Sequence, residues 1–341
     1  MSATAGATVD ERLAPTSLVR RLLGRPELGA VVGALAVFVF FSFAADSFLR
    51  ASSLSTVLYS ASTIGIMAVP VALLMIGGEF DLSAGVMVTT SALVSSMFSY
   101  QMTANVWVGV LVSLLVTLAI GFFNGFMLTR TKLPSFIITL GTFLMLTGLN
   151  LGFTKLISGS VSTKTIADME GFSSARALFA SQWNIGSVTL KVTILWWFAL
   201  VAVATWILLR TRAGNWIFAV GGGADAARAT GVPVVKTRIG LYMGVALCAW
   251  ISGQHILFSF DVVQSGEGVG NEFLYIIAAV IGGCLMTGGY GSAIGAFIFG
   301  MTSNGIVYAQ WNPDWFKFFL GAMLLLATLL NAWVRKRAEA K

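Results

Sequence analysis

Charge is scarce along this chain. Asp, Glu, Lys and Arg make up 10% of its 341 residues, against about 25% in a typical soluble domain. A surface so poor in charge must face lipid over most of its area. Histidine is nearly absent as well. The lone His255 excludes a histidine metal cluster, and no Ser/His/Asp set can be built around it. No glycine-rich loop carries a phosphate-binding lysine, so the chain itself is not expected to bind or hydrolyse ATP. The apolar runs hold almost no ionisable groups, which speaks against a proton relay. The two cysteines, Cys248 and Cys284, both lie in apolar runs and read as small buried hydrophobes. Neither a metal nor a resident cofactor is expected.

What the sequence does have is apolar length. It is 57% hydrophobic, with a mean hydropathy of +0.87. Apolar runs of ~20 residues recur, each long enough to cross a bilayer as a helix. The alternating ~10-residue segments of a membrane barrel are not seen. The expected fold is therefore all-α, a polytopic membrane protein with about ten crossings. These fall at 28–48, 53–76, 82–101, 105–129, 134–153, 192–210, 237–260, 272–288, 291–309 and 316–334. Residues 1–27 are expected to form a cytoplasmic tail, 28–334 one transmembrane domain and 335–341 a basic cytoplasmic tail.

Placing the N-terminus inside puts 15 of the 21 Lys and Arg residues on the cytoplasmic side. Short cytoplasmic loops favour such residues. The net charge of +7 follows from this bias and does not imply nucleic-acid binding. Both termini are expected in the cytoplasm, and the partner implied by composition is membrane lipid.

Two places interrupt the helical pattern. Gly77 and Gly78 precede Glu79 and Asp81, and Gly282 and Gly283 are followed by Gly288 and Gly289. Broken or re-entrant helices use such residues to line a cavity. Glycine also serves plain close packing between membrane helices. The two clusters are weakly alike, which hints at two related halves. Glu79 and Asp81 suit either a helix cap, with carboxylate at a positive helix end, or an inner gate.

The connection 211–236 is mixed and polar, and it carries signals for a short helix of its own. Asp225 stands where a carboxylate favours a helix start and Arg228 stands near the end. Gly231 suits the left-handed cap, and Pro233 follows. Ala224, Asp225, Ala226, Ala227, Arg228, Ala229 and Gly231 are candidates for docking a soluble partner, against the reading as an ordinary surface turn. Arg130 and Lys132 lie on the same side. Asn124, Gln254, His255 and Asn304, with Asn150, have the chemistry for hydroxyl recognition along a path, but such groups also bridge helices. The segments 153–191 and 261–268 are the candidate outer platform.

Four stretches together resemble the permease subunits of ATP-binding-cassette importers for simple sugars, the ribose-type group. They are Gly78 to Gly85, Gly121–Gly125 leading into Leu133–Thr142, Gly214–Val234, and Glu272–Gly283 continuing to Gly291. Glu79-Phe80 departs from that family, where one Ile is usual. The resemblance implies a transport subunit of the inner (plasma) membrane that is not an enzyme. It implies a coupling helix in the 214–234 stretch. It also implies a second permease copy or paralogue, an ATPase subunit that uses ATP-Mg, and an extracytoplasmic solute-binding protein. Related permeases carry pentoses, hexoses, polyols, a furanosyl signal molecule or nucleosides, and a more distant group carries branched-chain amino acids. A stand-alone secondary transporter is the competing class.

Overall fold

The computed structural model describes residues 26–102, 105–131, 133–283 and 294–339. The described chain is helical apart from one hairpin and its connecting loops. The helices are α1 (Pro26–Ala44), α2 (Ala51–Ile76), α3 (Ala84–Met102), α4 (Val106–Thr131) and α5 (Ser135–Ser158). After a short α6 (Phe172–Phe179) and strands β1 (Gln182–Ile185) and β2 (Val188–Lys191) come α7 (Val192–Arg210), α8 (Arg212–Gly222) and α9 (Ala224–Ala229). The long α10 (Val234–Phe260), α11 (Asn271–Ile281), α12 (Ile294–Tyr308) and α13 (Phe316–Glu339) complete the order.

A helix stands at each of the ten places where a crossing is expected. Five of them, α2, α4, α5, α7 and α10, are long and apolar enough to cross a membrane by length and composition. The expected crossing at 272–288 stops as α11 after 11 residues. At 1.5 Å per residue that is about 16 Å, half of a ~30 Å hydrocarbon core. The break falls at the expected glycines, with Gly283 in the left-handed region at φ 101°. Gly288, Gly289, Lys132 and Cys284, with most of the 1–27 tail, lie outside the described residues. The last helix continues to Glu339, past the expected boundary at 334.

The bundle is built around α10, which packs against α2, α3 and α4. Lipid gives apolar side chains little reason to seek one another, so close approach through small residues does the work. Gly121 and Gly125, four apart on α4, meet α10 at Tyr242 to Ala246 and at Ile239. Two turns further along α10, Gly253 meets Val88 and Ser91 of α3. One cluster holds Tyr242, Val245, Ala246 and Ala249 of α10 with Ile66, Met67, Leu74 and Met75 of α2. A second holds Leu257 and Phe258 with Phe172, Ala175 and Phe179 of α6.

The segment 153–191, expected as a loop, has structure of its own. Besides α6 it holds the β1–β2 hairpin, whose turn has Gly186 at φ 61°. Gly at the first turn position matches the twist of the paired strands. This segment also clasps the other platform candidate. Thr163 N–H donates to Val263 O at 3.0 Å, and Ser265 N–H to Val161 O at 2.9 Å. The connection 211–236 differs in a second way, holding two helices where one was expected. Its glycines mask the apolar spacing of Ile217 and Val220, both buried in α8. Thr211 caps α8 by accepting from Gly214 N–H at 3.3 Å.

One position here is unforgiving. A Cβ at Gly221 of α8 would overlap the backbone carbonyl of Ile76, at the end of α2. Backbone cannot rotate aside as a side chain does, so Gly221→Val is expected to lose about 1–3 kcal/mol from overpacking. Thermal unfolding of the purified protein in detergent checks this, with Gly222→Val, where a Cβ meets open space, as the control.

Candidate functional site

Helix α2 ends in a tight cap. Gly78, at φ 85°, donates its N–H to Met75 O at 3.0 Å, and Glu79 N–H reaches Leu74 O at 3.1 Å. These paired bonds satisfy the last carbonyls of the helix and need a residue in the left-handed region, hence glycine. The chain then runs unwound to Ala84, inside the bundle. Its polar groups are met by side chains from three other helices. Phe80 N–H donates to Ser135 Oγ at 3.2 Å and Leu82 N–H to Thr139 Oγ1 at 3.1 Å, both on α5. Tyr242 of α10 donates its hydroxyl to Phe80 O at 2.8 Å. Asn124 of α4 donates to Ser83 Oγ at 3.0 Å and accepts from Thr142 at 2.7 Å.

The two carboxylates of this segment do different things. Glu79 forms an ion pair with Arg238 of α10 at 2.7 Å. Asp81 is buried and accepts from the N–H and hydroxyl of Ser83 at 2.8 and 2.5 Å, just ahead of the α3 start.

The candidate docking segment lies against the same break. In α9, Ala227 is buried against Val220 of α8 and Val234 of α10. Asp225, Ala226, Arg228 and Ala229 are exposed. Asp225 and Arg228 pair with each other at 2.9 Å on that outer face. Gly231 takes the left-handed cap at φ 84°, and Val232 N–H reaches Ala227 O at 3.0 Å. Through Gly221, α8 rests on Ile76 and Gly78. The small helix, α8, the start of α10 and the broken end of α2 thus form one contiguous unit. Arg130 is exposed at the end of α4, a helix that meets Ile239 of α10 beside this unit.

The four candidate path residues do not share one place. Asn124 belongs to the break. Gln254 is buried and donates to Ser113 of α4 at 3.2 Å. His255 lies between Tyr59 of α2 and the Phe179 carbonyl of α6. Asn304 donates to Gly300 O within its own helix at 2.9 Å. Asn150 of α5 accepts from Thr90 of α3 at 3.0 Å. Ser135, Thr139, Tyr242 and Arg238 are site residues that sequence reasoning missed. Ser135, Thr139 and Thr142 recur at i, i+4 and i+7, which places three hydroxyls on one helix face. The hydroxyls of α3, from Thr89 to Ser99, are buried in the same way.

Comparison with known proteins adds the following. The family model described as branched-chain amino acid transport system / permease component matches residues 53–328. The fructose import permease protein of Rhizobium meliloti is 26% identical over 312 residues, 90% of this chain and 85% of that protein. The xylose transport system permease protein of Escherichia coli (strain K12) is 26% identical, over 90% of this chain and 92% of its own length. The ribose import permease protein of the same strain is 29% identical, over 89% and 93%. No solved structure matches.

The break supplies two predictions. Asn124→Leu strands the polar partners at Ser83 and Thr142, and is expected to cost about 1–3 kcal/mol. Denaturant titration in detergent measures it. Asp81→Ala removes the acceptor of both Ser83 bonds just ahead of α3 and is expected to cost about 0.5–2 kcal/mol, as loss of a helix cap does, in the same titration.

Proposed function

The chain belongs to the branched-chain amino acid transport system / permease component family, and from that premise we propose that it is the transmembrane permease subunit of an ATP-driven importer of a simple sugar. Sugar is preferred to branched-chain amino acid because the fructose, xylose, galactose and ribose permeases match nearly its whole length. The subunit has no catalysis of its own. It pairs with a second permease copy or paralogue, a cytoplasmic ATPase that uses ATP-Mg, and an extracytoplasmic solute-binding protein.

With ten crossings, one of them on the short α11, both termini lie in the cytoplasm. The basic residues around α9 support that orientation, since Arg130, Arg210, Arg212, Arg228, Lys236 and Arg238 flank that end. Helix α9 is the coupling helix. Its exposed face carries two alanines beside the Asp225–Arg228 pair, which lets a partner approach closely.

The observation that carries this reading is the contact of Gly221 with Ile76 and Gly78. A push on α9 reaches α8 through Ala227 and Val220, and reaches the break through Gly221. The Glu79–Arg238 pair and the Tyr242–Phe80 bond carry the same displacement from α10. Residues 77–83 then act as the hinge that re-angles α2 against α3.

Reconstitution with ATPase and binding protein tests the proposal. Arg228→Glu is expected to weaken ATPase co-purification about tenfold and to abolish ATP-dependent sugar import. The double swap Asp225→Arg with Arg228→Glu keeps the ion pair, and so the small helix, while reversing the charge pattern. Full ATPase association in both variants would remove α9 from the interface, and uphill transport by the chain alone would overturn the class.

A further inference from the structure

A cleft of about 400 Å³ opens beside α6. Its walls include Ser173 and Arg176 of α6, Ser181 and Gln182 at the entry to the hairpin, Lys191 at its exit, and Ser259 of α10. No acidic side chain lines it. Among the described residues neither cation has an ion-pair partner. Arg176 instead lies 5.9 Å from the Phe172 ring and Lys191 lies 3.7 Å from the Tyr59 ring. Partial burial, by withdrawing the ammonium from water, lowers the pKa of Lys191. The Ser181 hydroxyl is buried with no partner. Two cations, three hydroxyls and an amide line a space of ligand size that holds no counter-charge.

The cleft is also wired into the bundle. The ring beneath Lys191 belongs to Tyr59 of α2, whose hydroxyl lies 3.1 Å from His255 Nε2. His255 Nδ1 lies 2.8 Å from the carbonyl oxygen of Phe179, at the end of α6. That oxygen can only accept, so Nδ1 carries the proton and Nε2 accepts from Tyr59. One chain of contacts therefore links the cleft to α2, α10 and α6. Helix α10 is 27 residues long, about 40 Å. The cleft lies at its Phe258 end and α9 at its Val234 end. The two sites are thus on opposite faces of the bundle.

We propose that this cleft receives a carboxylate side chain presented by the extracytoplasmic solute-binding protein, and that Lys191 reports its arrival to α2 and α10 by leaving the Tyr59 ring. The inference rests on the importer reading, which supplies the partner. Its chemistry comes from the cleft, because uncompensated cations over aromatic faces exchange a weak contact for a strong one when a carboxylate enters.

The test uses the permease–ATPase complex in nanodiscs and, as probe, the binding protein that stimulates its ATP hydrolysis. Arg176→Glu and Lys191→Glu are each expected to weaken docking about tenfold at low salt and to flatten its salt dependence. Basal ATP hydrolysis should be unchanged, which shows that the complex is assembled. Arg176→Gln, which leaves the α6 packing alone, is expected to fall between. Tyr59→Leu is expected to dock within about twofold of the natural protein yet to lose most of the stimulation. Unchanged docking in both charge reversals overturns the cleft while leaving the importer reading intact. Full stimulation in Tyr59→Leu overturns the relay. A natural complex that no binding protein stimulates overturns the importer reading, and the cleft with it.

Discussion

An unwound backbone inside a membrane bundle has no water to turn to. Every N–H and C=O between Gly77 and Ala84 must find a protein partner or cost several kcal/mol. That constraint explains why α4, α5 and α10 each send polar side chains to one short segment. It also explains the polarity of α5, a helix otherwise exposed to lipid along much of its length. Ser135, Thr139 and Thr142 are buried on a single face because that face holds the break. The arrangement fixes the end of α2 and the start of α3 in space while leaving the backbone between them free of helical bonds. A segment held by side chains rather than by helix can change angle without melting either neighbour.

Much of this was legible in the residues, and the reason is local. Gly78 and Gly231 mark helix ends because each cap needs a left-handed residue, and that need shows in the sequence as glycine after an apolar run. Gly283 follows the same rule at the end of α11, so the likeness of the two Gly-Gly clusters has a geometric basis in shared termination. The short helix at 224–229 was legible for a similar reason, through Asp225, Arg228 and Gly231. The apolar runs located the long helices because lipid imposes a minimum length.

Partners across the bundle were not legible. Nothing local to Glu79 points to Arg238, or to Phe80 as the acceptor for Tyr242, because these pairings join residues about 160 positions apart. The same holds for His255, read as a path residue and found between Tyr59 and the α6 carbonyl. Helix α8 was hidden by Gly214, Gly221 and Gly222, which lower helix propensity. Its need for Gly221 comes from the backbone it rests on, a tertiary cause. Helix α6 and the hairpin were hidden by a mixed composition, their order coming from packing of α6 on Phe258 and of β2 on α2.

The position of α10 ties these parts together. Its first turns hold α9 and the break, through Val234, Arg238 and Tyr242. Its last turns hold the cleft beside α6, through His255 and Ser259. Between them it meets α3 and α4 at glycines, where backbone lies directly on backbone. Side chains in a lipid-facing interface can absorb a small displacement by changing rotamer, and a backbone contact cannot. A shift of α10 along its axis is therefore passed to its neighbours rather than lost between them. In an importer driven from one face and loaded from the other, the shortest mechanical route between the two is this one helix. The polar contacts of Arg238 and Tyr242 near its start and of His255 near its end lie at the two ends of that route.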